Sequence, residues 1–315
     1  MESGQPLDVP IVREENICLP LVVSAVAKYW GTDLPMSEAA EIAKKYPGVR
    51  GSILIEGVEL AERHGLAGMI LNLSMKDLRR LITIGMPVIV ILPGIRDVVQ
   101  HASLVIGYDE AEGAVFHYIP EPDKIGAIPE EAFDRQWQED DRLAIVLAPP
   151  DVMSEARMQH DARTKSNRMC FEAEKLRLQG RAGEAVSMLR EALASSPANS
   201  TASCLYGGIL NDMNSPEAVS QYRKSIESNP RCYLAYRGLG NYFLKRKEYE
   251  SADRCYTEAI GINAQRFVPI FKNRGIARME LGRNREARED LEKYLAAMPD
   301  AQDAAAISQA ISELG

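Results

Sequence analysis

The sequence predicts an α+β layer fold in its first half and an all-α solenoid of helical repeats in its second. Three observations carry this. Apolar blocks of strand length, such as residues 87–92, gather in the first half, whereas the second half reads as helix almost throughout. Four segments of the second half repeat one another at spacings of 33, 34 and 35 residues. Pro149-Pro150 separates the two regions, and the charge balance changes there. Residues 1–150 carry 13 Lys and Arg against 23 Asp and Glu, and the remaining 165 carry 24 against 22.

The elements of the first half follow in order. Residues 18–30, CLPLVVSAVAKYW, are apolar at helical period and predict a buried helix. Ser37 is the expected N-cap of EAAEIAKKY, and Ser74 that of MKDLRRLI. Between them, residues 52–64 predict a helix that Gly65 ends, with His64 in its last turn. Strands are expected at 87–92, 102–108, 115–118 and 143–147, with a helix holding Phe133 and Trp137 before the last. Helices come first and an antiparallel-looking sheet follows, which is the α+β pattern.

The composition bounds the function. The 315 residues are 46% hydrophobic and 26% charged, as in ordinary globular chains. The longest apolar run, residues 86–93, falls far short of the roughly 18 residues a membrane span requires. No basic region followed by an apolar core opens the chain, so neither a membrane span nor a secretory signal is expected. The five cysteines, at 18, 170, 204, 232 and 255, show no CxxC spacing, which points to a reduced, cytoplasmic setting. A net charge of −8 with no basic face argues against nucleic acid. With no metal-ligand spacing, phosphate loop or dinucleotide fingerprint, no metal and no cofactor are expected.

In the second half, residues 151–165 predict a joining helix, with His160 on its solvated side, and 166–315 the repeats. The segments align on Ala185, Ala218, Ala252 and Ala287. Pro197, Pro230 and Pro299 follow three of these anchors by twelve residues, and Ala264 holds that place in the third repeat. Gly180 and Gly282 precede their anchors by five, and the second repeat is one residue short in its turn at 211–215. The clearest unit reads Tyr236-x2-Leu239-Gly240-x2-Phe243, then Ala252-x3-Tyr256-x2-Ala259. This pattern resembles the tetratricopeptide repeat over about residues 166–299, giving about four repeats, and residues 301–314 read as a capping helix. The resemblance implies a groove lined by the first helix of each unit, with a protein or peptide as partner. Arg237 and Asn241 lie one turn apart, and Lys272 and Asn273 take neighbouring groove positions. These four resemble part of the family's carboxylate clamp, whose basic and amide groups take a peptide carboxylate by charge-assisted hydrogen bonds. The capping segment supplies Asp303 where the clamp has a cation. An ordinary solvated helix face, or docking of the acidic first half, are the alternative uses of these residues.

Four motifs of the first half stand in a recognisable order. VPIV leads through REENICLP to Cys18 at a helix start, GMPVIVIL follows, HASLVIGYDE places His101 83 residues after Cys18, and AVFHYIPEP precedes the Phe133/Trp137 helix. They resemble the papain-like cysteine peptidases of the bacteriocin-processing type, which cut double-glycine leaders, over about residues 8–148. The resemblance implies a papain-like α+β fold with Cys18 as nucleophile and His101 as its base. The chemistry is sound on its own terms. A helix N-terminus stabilises a thiolate, and an imidazole can take the thiol proton and return it to a leaving amine. Taken singly, Cys18 is equally a small buried hydrophobe and His101 an ordinary strand-start residue.

The chain departs from the family pattern at three places. Val12 and Arg13 stand where the family has an oxyanion-binding Gln, leaving Arg13 as the donor available there. Leu19 replaces a Gly. Ile119-Pro120 replaces the Asp-Pro whose carboxylate orients the histidine. Strand alternation puts His117 on the face of Ile119 as a substitute acceptor, with Glu121 and Asp123 as further candidates. Two functions are therefore expected from the sequence. One is a cytoplasmic cysteine peptidase or peptide-processing protein whose repeats recruit the substrate. The other is a catalytically degenerate pseudo-peptidase that binds peptides or acts as a scaffold.

Overall fold

The computed structural model describes residues 18–46, 52–94, 98–119, 124–156 and 161–314. By its contacts the chain forms two compact units. One takes the residues up to Leu92 together with His101–Ala202, and the other Pro93–Gln100 together with the chain from Ser203 onward.

The first unit opens with three helices, α1 (Cys18–Tyr29), α2 (Met36–Lys44) and α3 (Leu54–Arg63). Then β1 (Ala67–Asn72), α4 (Met75–Thr83), β2 (Val88–Pro93), β3 (Gln100–Asp109), β4 (Ala114–Ile119) and β5 (Lys124–Pro129) follow. After α5 (Glu130–Trp137) come β6 (Leu143–Ala148), α6 (Pro150–Glu155), α7 (Ala162–Leu178) and α8 (Ala182–Ser195). The strands make one sheet in the order β1-β6-β2-β3-β4-β5. Its β1–β6, β2–β6, β3–β4 and β4–β5 pairs are antiparallel. The α+β expectation therefore holds for this region, with β1 placed between helices.

Local chemistry explains most of the elements. Ser74 caps α4 through a reciprocal capping box with Asp77. The Trp137 indole lies in the core with Phe133 and donates to the Leu143 carbonyl at 2.8 Å, so its one polar group is satisfied. At Gly68, a Cβ would sit 2.6 Å from Val58 Cγ1, so only glycine lets β1 approach α3 this closely. Ser37 does not cap α2. The helix starts at Met36 behind extended Pro35, whose ring cannot continue a helix backwards. Strands β1 and β5 were not expected: AGMILN and KIGAIP are short, glycine-bearing and poor in strand formers.

Residues 151–165 are not one joining helix but α6 and then the start of α7, which Asp161 caps by accepting from the Thr164 N–H at 2.8 Å. Helices α7 and α8 are the first repeat pair, and they group with the sheet rather than with the other repeats. The division by contacts thus lies some fifty residues beyond the change in composition at Pro149-Pro150. A polar face of α7 makes the attachment. The Asn167 amide donates to Ile70 O at 3.2 Å and Asn72 Oδ1 at 2.8 Å, and it accepts from Asn199 at 3.0 Å. Arg163 donates to Asn72 Oδ1 at 2.8 Å, Arg168 grips Glu62 in a bidentate pair at 2.7 and 2.9 Å, and Lys175 reaches Glu59 at 2.5 Å. Lys175 also lies 3.5 Å from Glu56, which is 1% exposed and takes bonds from Lys45 at 2.7 Å and Tyr46 at 2.7 Å.

The second unit contains α9 (Ser200–Asp212) from Ser203 onward, α10 (Ala218–Ser228), α11 (Tyr233–Lys245), α12 (Tyr249–Ile262), α13 (Pro269–Glu280), α14 (Asn284–Ala297) and α15 (Ala304–Glu313). The anchor alanines of all four repeats are fully buried. Each first helix ends in a left-handed residue: Gly180 at φ 79°, Asn214 at 58°, Lys247 at 63° and Gly282 at 71°. The residue after each donates back to a carbonyl five residues earlier, Arg181 to Leu176, Ser215 to Leu210, Glu248 to Phe243 and Arg283 to Arg278, closing the same C-cap four times. Small residues on the first helices admit large ones on the second. A Cβ on Gly240 would lie 2.6 Å from Tyr256 Cε1, and one on Gly275 2.9 Å from Leu291 Cδ2. A buried ionic network joins three helices: Arg274 pairs with Asp290 at 2.7 and 2.8 Å, and Arg278 bridges Asp290 at 2.9 Å and Asp253 at 2.7 Å. Among the described residues no helix is long and apolar enough to cross a membrane.

Two predictions follow from these contacts. Left-handed backbone costs a side-chain-bearing residue about 1–2 kcal/mol, and glycine's extra unfolded-state freedom gives back about 0.5–1. Lys247→Gly is expected to raise unfolding stability by about 0.5–1 kcal/mol, and Gly282→Ala to lower it by a similar amount, in urea titrations. For Glu56, burial works to raise the carboxyl pKa, but the bonds from Lys45 and Tyr46 and the charge of Lys175 outweigh it and hold it below the usual glutamate range. A depressed folded pKa stabilises above the unfolded value of about 4.3 and is lost as pH falls through the folded value. Glu56→Gln should lower stability at neutral pH and flatten its decline on acidification below about pH 4.5, followed by denaturant titration across pH.

Candidate functional site

Cys18 is the first residue of α1 and is partly buried, with Leu19 through Ala27 buried behind it. Pro20 fits the first turn, where a helical N–H has no intrahelical partner. The thiol thus stands at the positive end of a 12-residue helix dipole. Val12, Arg13, Pro120, Glu121 and Asp123 lie outside the described residues. His160 lies there too. His64 caps the end of α3 and meets Glu38 at 2.9 Å.

His101 is the second residue of β3. Leu104 pairs with Tyr118 and Val105 with His117, and the register then slips by one so that Gly107 faces Phe116. The irregularity falls inside the His-x5-Gly stretch, where a bulge re-aims the strand. On the His101 side of it, alternation places His101, Ser103 and Val105 on the face of His117.

The side chains there form a defined chain of hydrogen bonds. Ser103 is fully buried, and its Oγ–H donates to the Tyr118 carbonyl at 2.7 Å. The same Oγ lies 2.8 Å from His117 Nδ1. A hydroxyl carries one hydrogen and a carbonyl only accepts, so His117 Nδ1–H must donate to Ser103. That fixes the tautomer: Nε2 of His117 carries the lone pair. His117 is 8% exposed, and its burial, with the nearby charge of His101, pushes its pKa down to about 4. The ring is neutral at physiological pH and presents an acceptor. Sequence alternation alone pointed to His117. Ser103 was missed, because its role depends on the β3–β4 register.

The four residues expected in the repeat groove have different surroundings. Lys272 pairs with Asp303 at 2.6 Å and sits 5.1 Å from the Tyr294 ring, whose hydroxyl donates to the same Asp303 at 2.7 Å. Asn241 Oδ1 accepts from the Tyr256 hydroxyl at 2.8 Å and from the Asn273 amide at 3.3 Å. Those three polar side chains are occupied within the solenoid. Arg237 differs. Its guanidinium lies 4.4 Å from the Phe267 ring centre, and its buried Nη1 has no hydrogen-bond partner among the described residues. Burial pushes its pKa down, with Arg266 adding to the effect. Arg266, missed in the sequence, is itself buried, stacks 5.0 Å from the Tyr233 ring and donates to Val99 O at 3.1 Å. Among the described residues, no three His, Cys, Asp or Glu side chains gather as a metal site.

The Lys272–Asp303 pair is partly exposed, so its coupling should be about 0.2–1 kcal/mol. A double-mutant cycle with Lys272→Ala and Asp303→Ala, read by thermal unfolding, is expected to return that value and to show looser docking of α15.

Residues 213–264 match the tetratricopeptide repeat family, a span running from the end of α9 through α12. No curated protein sequence matches the chain. Among solved structures, PilF of Pseudomonas aeruginosa is similar at 20% identity, covering 49% of this chain and 68% of that one with a TM-score of 0.43. A MamA protein is similar at 20% identity, covering 48% of this chain and 80% of that one with a TM-score of 0.43. MamA from Desulfovibrio magneticus RS-1, residue 41 to its end, is similar at 15% identity, covering 48% and 93% with a TM-score of 0.41.

Proposed function

We propose that the chain is a cytoplasmic protein-binding scaffold whose repeats recruit a peptide or protein segment for a papain-like, cysteine-peptidase-type domain. The sequence regions this reading assigns are 1–150 to that domain and 166–315 to the repeats, with the first repeat pair, α7 and α8, packed by contacts with the sheet. The observation that carries the binding function is Arg237. A buried guanidinium nitrogen with no partner among the described residues, on the first helix of a repeat, is satisfied by a ligand carboxylate. Asn241, Lys272 and Asn273 then shape the wall beside it rather than supply open donors. Labelled peptides ending in Asp or Glu, with free or amidated C-termini, test this by fluorescence anisotropy. Arg237→Ala should weaken binding of the free-acid peptides about tenfold or more, the scale of one charged hydrogen bond, and high salt should weaken it further. Equal affinity of wild type and variant would return Arg237 to a purely stacking role.

A second reading, turnover by Cys18 and His101, is favoured by one specific observation: a neutral acceptor imidazole stands on the face of His101. In this reading the Cys18 thiol proton passes to His101 and the helix dipole holds the thiolate. Alkylation of Cys18 by iodoacetamide across pH, mapped by mass spectrometry, tests it. Wild type should react faster than a free thiol, and His101→Ala should remove the excess. A rate that His101→Ala leaves unchanged leaves the scaffold reading alone.

A further inference from the structure

We infer that Arg266 and Phe267, which stand between α12 and α13, set the specificity of the Arg237 site: Phe267 fixes the plane in which Arg237 donates, and Arg266 adds a second positive charge that selects a carboxylate over a neutral acceptor. The inference deepens the protein-binding reading above and rests on it. Phe267 is a positioning residue that acts through Arg237.

The geometry is an interlock of two cations and two rings. Tyr233 and Arg237 lie four residues apart on α11, and so one turn apart on the same face. Arg266 and Phe267 are neighbours in the chain. The Arg237 guanidinium lies over the Phe267 ring, 4.4 Å from its centre, and the Arg266 guanidinium lies over the Tyr233 ring at 5.0 Å. Each element thus gives one cation and one ring to the other, and the crossed contacts bring both guanidinium groups into one small region. Arg266 is fully buried, and its Nε donates to Val99 O at 3.1 Å, which anchors the dipeptide further.

A ring against the guanidinium face leaves the N–H edge open. The atom presented there is Nη1 of Arg237, buried and without a hydrogen-bond partner among the described residues. An unrestrained arginine gives up rotamer freedom when it grips a ligand, but Arg237 has already given it up to Phe267. An amide carbonyl and a carboxylate both accept from such an edge, so orientation alone does not separate them. Charge does. Two guanidinium groups stay protonated at physiological pH and repel each other at short range. An anion beside them relieves that repulsion, and a neutral acceptor does not. The lowered pKa of Arg237, which burial causes and the Arg266 charge increases, agrees with this arrangement.

The test uses the full chain and labelled peptides ending in Asn, as free acid and as amide, read by fluorescence anisotropy at several salt concentrations. Wild type is expected to favour the free acid about tenfold or more. Phe267→Leu should weaken binding of the free acid about threefold or more, the lower scale of a cation–π contact, and Phe267→Tyr, which keeps the ring, should restore it. Arg266→Gln and Arg266→Met remove the charge, the first while keeping a donor for Val99 O. Both should cut the preference for the free acid about threefold or more and flatten its fall with salt, and Arg266→Lys should restore both properties. Thermal unfolding identifies the folded variants, and if neither neutral Arg266 variant folds, Phe267→Leu against Phe267→Tyr decides. A folded Phe267→Leu at wild-type affinity overturns the inference, and so does a folded neutral Arg266 variant with unchanged preference and salt dependence. In either case, weakened binding by Arg237→Ala still upholds the reading beneath it. If Arg237→Ala binds the free acid as wild type does, or wild type does not favour the free acid, the reading and the inference fall together.

Discussion

The amide of Asn167 is the contact on which the first unit depends. It is buried at the meeting of β1, α7 and the residues ahead of α9, and each of its hydrogen-bonding atoms has a partner in a different element. A satisfied buried amide specifies one arrangement, because any slip of α7 along β1 leaves a donor or acceptor stranded at about 1–3 kcal/mol each. The pairs of Arg168 with Glu62 and Lys175 with Glu59 add charge complementarity around it. This gives the uneven charge of the chain a local meaning. Part of the acidic excess of the first 150 residues is answered by basic residues on one face of the first repeat helix. That helix is consequently tied to the sheet, although its sequence belongs to the repeats.

The repeats were the most legible part of the fold, and the reason is geometric. One small residue on a first helix must face one large residue on the second, as Gly240 faces Tyr256 and Gly275 faces Leu291, and that requirement recurs at a fixed spacing. The turn was legible only where glycine marks it. At Asn214 and Lys247 the same left-handed cap forms without glycine, because the tertiary packing of the helix pair fixes the turn and overrides the side chain's own preference. The missing residue of the second repeat comes after this cap, so the cap survives and α10 simply starts later. The ionic network of Arg274, Arg278, Asp253 and Asp290 carries no period and left no trace in the sequence pattern.

In the α+β half, strongly apolar or well-capped elements could be read directly: α1, α4, β2, β3 and β6 each show their pattern in one short window. Strands β1 and β5 could not, since their identity comes from pairing with β6 and β4 rather than from composition. The same holds for the site. Alternation drew attention to His117, but only the β3–β4 register brings Ser103 to it, and only the second bond of Ser103 decides which nitrogen of His117 is protonated.

Saturation of hydrogen bonds separates the polar residues that hold the fold from those able to act on something else. Lys272 looked in sequence like a groove cation facing an unhelpful Asp303, yet those two residues bind each other and seat the last helix. The Asn241 oxygen likewise accepts from both the Asn273 amide and the Tyr256 hydroxyl. A ligand reaching any of these must first break a bond of similar strength, so its net gain is small. Among the described residues the Nη1 of Arg237 has no bond to give up, and it has already lost its water to burial. An anion that reaches it regains a hydrogen bond without breaking another, which makes that one nitrogen a stronger functional signal than the four-residue pattern that first drew attention to it.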